Sequence, residues 1–184
     1  TLLNNIDVIF VKQFFSADNA GLYSAWSLFA KIIFYVVGPL SSVIFVFLAR
    51  NKDHPDQQQF ALAVSLLILA ITASGAFVGY FYYPGLIVGI FFGHQFSVIS
   101  PLLAKAAFFG FFYCAITLLN HYFIVRQSKV ILVLPVLTPL YVGILFFLER
   151  NLETVMDFTI LFSAIIALVY CLAFTKSAKQ TVYV

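Results

Sequence analysis

The sequence predicts an all-α membrane protein, and three observations carry that prediction. Of the 184 residues, 63% are hydrophobic and only 9% charged, where soluble domains carry about 25% charged residues. Apolar runs long enough to cross about 30 Å of hydrocarbon follow one another along the chain. Most of the lysines and arginines stand between those runs.

The runs divide the chain into six predicted crossings at about 2–15, 20–49, 60–82, 101–125, 130–148 and 155–174. The first is short for a full span and carries no basic leader, which reads as a helix truncated at its start rather than a signal peptide. It ends at the turn formers Ser16-Ala17-Asp18-Asn19, which also offer an N-cap to the next helix. The second has Gly38-Pro39 near its middle and is expected to tilt, kink or project. Asn51 to Gln58 is the most polar stretch and predicts a solvent loop. The third run stops at Pro84-Gly85. Leu86 to Phe92 is then apolar but too short to cross, which predicts an interfacial or re-entrant turn closed by Gly93-His94-Gln95. The fourth run stops at Arg126-Gln127-Ser128-Lys129. The fifth contains Pro135 and Pro139, so its backbone ladder is expected to be broken or bent. Glu149-Arg150-Asn151 is the next turn, and Thr175 to Gln180 forms a polar tail after the sixth.

With six crossings, Arg50, Lys52, Arg126, Lys129, Lys176 and Lys179 fall on one side, and Lys12 and Arg150 lie at the other ends. That asymmetry is what the positive-inside rule expects of a cytoplasmic face. The net charge of +3 is therefore explained by orientation and calls for no nucleic-acid partner. Cys114 and Cys171 lie inside apolar runs and read as small apolar residues.

Polar groups at helical spacing in a span indicate a face turned away from lipid. On the second span Ser24, Ser27, Lys31, Tyr35, Gly38 and Ser42 recur every three or four residues; on the fourth, Lys105, Tyr113, Thr117 and Asn120 or His121 do the same. Charges at membrane depth usually face a bundle interior or a wet cavity, which singles out Asp7, Lys31 and Lys105. Counted from the outer helix ends, Asp7 and Lys31 lie at depths of about 12 and 15 Å. Two readings follow: Asp7 and Lys31 form a structural ion pair, or Lys31 and Lys105, with Lys12 nearer the mouth, bind an anionic group such as phosphate. Asn120 and His121 read as helix-to-helix hydrogen bonders. Gly75 and Gly79 form a G-x-x-x-G of the kind that brings helices close. No residue spacing suggests a metal site, and no cofactor loop, nucleophile elbow or catalytic carboxylate pair is found, so a non-enzyme is expected.

Asp7, followed after thirteen residues by Gly21-Leu22-Tyr23 opening a long helix with Gly38-Pro39, resembles the start of a six-helix lobe in the polysaccharide or O-antigen flippases. Their superfamily also includes the multidrug antiporters and the lipid II flippases. Ile87 to Gly93, followed by Phe96 and a helix through Leu103, is similar to the segment before that family's tenth helix. The resemblance implies the C-terminal lobe of a two-lobe transporter, residues 1–184, with its N-terminal lobe missing. It also implies an activity: moving lipid-linked oligosaccharide across a bacterial inner membrane by alternating access, as a multi-pass protein of cell-envelope polysaccharide or lipopolysaccharide biosynthesis. The candidate cavity residues on that reading are Lys31, Tyr35, Ser27, Lys105, Lys12, Asp7 and Asn120, with the lipid-linked sugar, membrane lipid and the other lobe as partners. A cation-coupled multidrug antiporter of the same superfamily and a non-transporting membrane scaffold are the alternatives.

Overall fold

Apolar length alone accounts for the longest elements. A computed structural model describes the backbone of residues 5–148 and 150–182 and the side chains of 5–148 and 150–176. The predicted span start at Leu2, the turn residue Glu149 and the side chain of Lys179 lie outside the described residues. The elements are α1 (Ile6–Phe14), α2 (Ala17–Arg50), α3 (Pro55–Tyr82), α4 (Pro84–Phe92), α5 (Leu103–Val125), α6 (Val133–Phe147) and α7 (Leu152–Val182). Segments of 3-10 helix at His94–Leu102 and Lys129–Leu132 lead into α5 and α6. No strand occurs among the described residues.

Five helices are long and apolar enough to cross a membrane: Ala17–Arg50, Pro55–Tyr82, His94–Val125, Lys129–Phe147 and Leu152–Lys176. The chain is an all-α membrane protein. The predicted first crossing is represented by α1, whose nine residues are too few for a span of about 20.

Local chemistry sets the helix ends. Ser16 accepts the Asn19 amide at 3.4 Å and starts α2 a turn earlier than predicted, so its 34 residues extend about 51 Å. Pro55 opens α3 at a position whose amide needs no partner. Only Asn51 to His54 therefore remains of the predicted eight-residue loop. Gln58, expected in solvent, is fully buried, and its Nε2 donates to the Leu48 carbonyl at 2.7 Å. This bond ties the end of α2 to the start of α3. Replacing Gln58 by alanine should lower thermal stability in detergent by about 1–3 kcal/mol, measured by a melting curve. Gly93, with φ +83°, makes the break between α4 and the 3-10 segment, a conformation that favours glycine. Gln127 occupies the left-handed position after α5, with Ser128 N bonded to Phe123 O and Gln127 N to Ile124 O, the two bonds of a Schellman stop.

The fifth span changes from 3-10 to α geometry at Val133, and Pro139 inside α6 leaves its backbone ladder one amide short, as its prolines predict. One expectation about a helix end is corrected. The polar stretch from Thr175 does not end the last helix, which continues to Val182.

Side-chain pairs give the register. Trp26 Nε1 donates to Leu102 O, Phe34 meets Tyr113 edge-on and Ser41 bonds His121, so α2 and α5 run in the same direction. Lys105 meets Glu153, and Tyr170 OH donates to Asn120, so α7 is parallel to them. Tyr80 OH reaches Phe29 O while Gln58 reaches Leu48, so α3 runs opposite to α2. Arg50, Lys52, Arg126, Lys129 and Lys176 consequently share one end of the bundle.

Helix α5 is the most buried span and forms the hub of the bundle. Lipid gives no hydrophobic reason for helices to associate, so close packing at small residues must supply the attraction. Gly110 supplies it: a Cβ there would stand 2.4 Å from the carbonyl oxygen of Ala30 on α2. The predicted G-x-x-x-G does not play that role. Gly75 has open space around its Cβ direction, and Gly79 has only the tip of Ile87 at 3.7 Å.

Candidate functional site: a buried carboxylate beside a half-open cavity

The bundle contains a cavity of about 270 Å³ between α1, α2, α5, α6 and α7. Its polar lining is Asp7 from α1, Tyr113, Thr117 and Asn120 from α5, Thr138 and Tyr141 from α6, and Thr159 and Ser163 from α7. Phe34, Phe109 and Phe162 are among its apolar walls.

Asp7 is 4% exposed. It lies about 10 Å from the α1–α2 hairpin, at the level of Tyr23 about 9 Å along α2. Tyr23 OH accordingly donates to Asp7 Oδ2 at 3.0 Å. Tyr23 Oη is also 3.3 Å from Thr159 Oγ1, which is 2.9 Å from Tyr141 Oη and 2.8 Å from the Val155 carbonyl. Ser163 Oγ bonds the Thr159 carbonyl at 2.8 Å. A carboxyl group and three hydroxyls from four helices thus form one chain of contacts.

The predicted site residues do not form one group. Asp7 and Asn120 line the cavity, and Asn120 Oδ1 accepts from Tyr170 at 3.2 Å. Lys31 and Tyr35 lie outside it. Counted from Ala17, Lys31 is about 21 Å along α2 rather than 15 Å, because the helix starts earlier. It therefore stands deeper than Asp7, and its Nζ donates to Asn5 Oδ1 at 2.7 Å. The predicted direct ion pair does not form, although each charge acts on the other through space. Tyr35 is 61% exposed, one position beyond Phe34, which turns inward. Ser27 is buried, and its hydroxyl has no partner among the described residues, so it does not belong to an open polar stripe. Lys12 is exposed in the last turn of α1.

Lys105 is engaged elsewhere. Its Nζ contacts Glu153 at 2.8 Å and Asp157 at 2.7 Å, an i, i+4 pair on α7. Two carboxylates neutralise the cation, which removes the reason for giving it an anion. All three groups are a third to a half exposed, so the cluster stabilises by no more than about 1 kcal/mol. Lys105→Met should lower the melting temperature slightly and leave any transport rate unchanged, as a side-by-side assay would show. His121 bonds Ser41 at 3.1 Å and serves helix packing, as expected.

Tyr23, Thr138, Tyr141, Thr159 and Ser163 were not among the predicted site residues. Thr159 and Ser163 are four apart on α7, and Thr138 and Tyr141 three apart on α6, the same spacing that singled out the second and fourth spans. Among the described residues no group of His, Cys, Asp and Glu is placed to hold a metal ion.

A family model described as "Polysaccharide biosynthesis protein" matches residues 1–101, more than half of the 184-residue chain. The chain belongs to this family. No curated protein and no solved structure matches it. The part matched to the polysaccharide biosynthesis family holds Asp7, Lys12, Tyr23, Lys31 and Tyr35, whereas Lys105, Asn120, Tyr141 and Thr159 lie beyond it. Family membership and the apolar spans together make this a multi-pass membrane protein of polysaccharide biosynthesis.

Proposed function

We propose that this lobe belongs to an exporter that flips lipid-linked oligosaccharide across the inner membrane by alternating access. The observation that carries the reading is the state of Lys31. Among the described residues it has no carboxylate in contact, and its partner, Asn5, is a neutral amide. An ammonium group at mid-helix with spare hydrogen-bond donors suits a diphosphate-linked headgroup. Tyr35, exposed one turn further along α2, extends the same face; on this reading that face would meet a second lobe.

The half-open cavity beside Asp7, about 270 Å³, is smaller than a lipid-linked oligosaccharide, and the family match favours a saccharide over a drug. The buried carboxylate instead suits the coupling of a small cation to movement of the lobe. The shared end of Arg50, Lys52, Arg126, Lys129 and Lys176 faces the cytoplasm on this reading.

Depleting the full-length protein in cells tests the activity. Lipid-linked repeat units should accumulate on the cytoplasmic leaflet while their synthesis continues. Unchanged delivery to the outer leaflet would reject the exporter reading in favour of a scaffold.

A further inference from the structure

Asn5 stands at the N-cap position of α1 but does not cap it. An asparagine there ordinarily turns its side-chain oxygen onto the second or third amide of the helix, which in α1 are those of Asp7 and Val8. Its backbone, at φ −132° and ψ 13°, lies outside the extended region from which a capping side chain reaches the first turn, and no such bond forms. Ser16, with ψ 155°, does reach the Asn19 amide at the start of α2. In α1 the Asp7 carboxylate does the capping: it accepts from the Val8 amide and from its own, besides the Tyr23 hydroxyl at 3.0 Å. The Asn5 oxygen is thereby released, and Lys31 Nζ donates to it at 2.7 Å from the neighbouring helix.

The two lysines of the polar faces show what the partner's charge changes. Lys105 meets two carboxylates, at 2.8 and 2.7 Å, which cancel its pull on an anion. Lys31 meets, at an equal distance, an oxygen that carries no net charge. Asp7 is only two residues further along α1, yet its carboxylate is engaged by Tyr23 and the helix amides and reaches Lys31 through space alone. A lysine ammonium has three N–H donors on a flexible four-carbon stem. A neutral acceptor takes one donor and fixes where the group sits without opposing an incoming anion, whereas a carboxylate at the same point would fix it equally well and neutralise it.

We propose that Asn5 is the positioning residue of the Lys31 site: its amide oxygen holds the ammonium group in place for the diphosphate of a lipid-linked substrate, and its neutrality keeps the site selective for an anion. The diphosphate oxygens accept from N–H groups that Asn5 does not take, and no covalent bond changes. The ligand rests on the exporter reading; the role of Asn5 goes beyond it and has its own signature. Aspartate caps a helix as well as asparagine does and would turn the contact with Lys31 into an ion pair, so a tie that only joined α1 to α2 would work best with aspartate, next with asparagine and worst with alanine. A positioning role reverses the last two places and puts aspartate last: asparagine, then alanine, then aspartate.

The test is translocation of a fluorescent lipid-diphosphate oligosaccharide by the full-length protein in lipid vesicles, measured against the fraction of that lipid in the membrane. Asn5→Asp should lower the rate at least about tenfold. Asn5→Ala should raise the half-saturating fraction about three- to tenfold and leave the maximal rate unchanged, because the ammonium group is still present but no longer held. The alanine variant supplies an independent arm if the aspartate variant does not insert. Transport by Asn5→Asp equal to or above that of Asn5→Ala, or an Asn5→Ala variant with an unchanged half-saturating fraction, would overturn the role of Asn5 and leave the exporter reading standing. An unmodified protein no faster than empty vesicles would reject the exporter reading and this proposal with it.

Discussion

Replacing Gly110 by leucine will separate α2 from α5, the largest loss of stability expected from any single substitution in this chain. Even the first added carbon meets the Ala30 carbonyl oxygen at 2.4 Å, Ile33 Cδ1 at 2.9 Å and the Ala30 carbonyl carbon at 3.2 Å. Two of those atoms are backbone within a helix and cannot rotate away. Relief requires α2 and α5 to part along their length. That movement would disturb the Trp26 bond to Leu102, the stacking of Trp26 on Phe109 and the Ser41 bond to His121. Overpacking of a close-packed core costs about 1–3 kcal/mol, and loss of these bonds adds to it. Alanine should already lower the melting temperature in detergent, and leucine should yield protein that inserts but aggregates on extraction. A leucine variant with an unaltered melting curve would show that the two helices are not held at this distance.

Charge reversal at Lys31 should abolish export while leaving insertion intact. The side chain is half-buried and bonded to an amide rather than to a carboxylate, so a glutamate there breaks no ion pair in direct contact. A diphosphate would meet a negative group in place of a donor. Loss of a hydrogen bond to a charged group costs about 1.5–3 kcal/mol, a reduction of at least about tenfold in the transport rate. Arginine keeps the charge and should retain part of the activity. Surface polysaccharide in cells carrying each variant is the measure, and normal export in Lys31→Glu would leave Lys31 as a structural partner of Asn5.

The spans were legible because the length of an apolar run and the thickness of a bilayer are directly comparable. Polar residues misled at the margins. Gln58 and the stretch from Thr175 read as loop, yet helices project beyond the apolar run and can bury a side chain against a neighbour. The depths assigned to Asp7 and Lys31, near enough for them to pair, failed for a similar reason, since the Ser16 cap adds a turn to α2 and moves Lys31 deeper. Lys105 was placed correctly on its helix but without its partners. Glu153 and Asp157 are visible as an i, i+4 pair, while their position beside α5 depends on which helices pack together, and that is not written in any one span. The same limit hid the chain through Tyr23, Tyr141 and Thr159, whose members are far apart in sequence and converge only in the bundle.

The central claim is that this lobe helps carry a lipid-linked saccharide past Lys31, and translocation in reconstituted vesicles tests it most directly. The full-length protein should move a fluorescent lipid-diphosphate oligosaccharide between leaflets well above the rate in empty vesicles, and Lys31→Glu should return that rate to background. Transport no faster than in empty vesicles, or equal rates for Lys31→Glu and the unmodified protein, would contradict it.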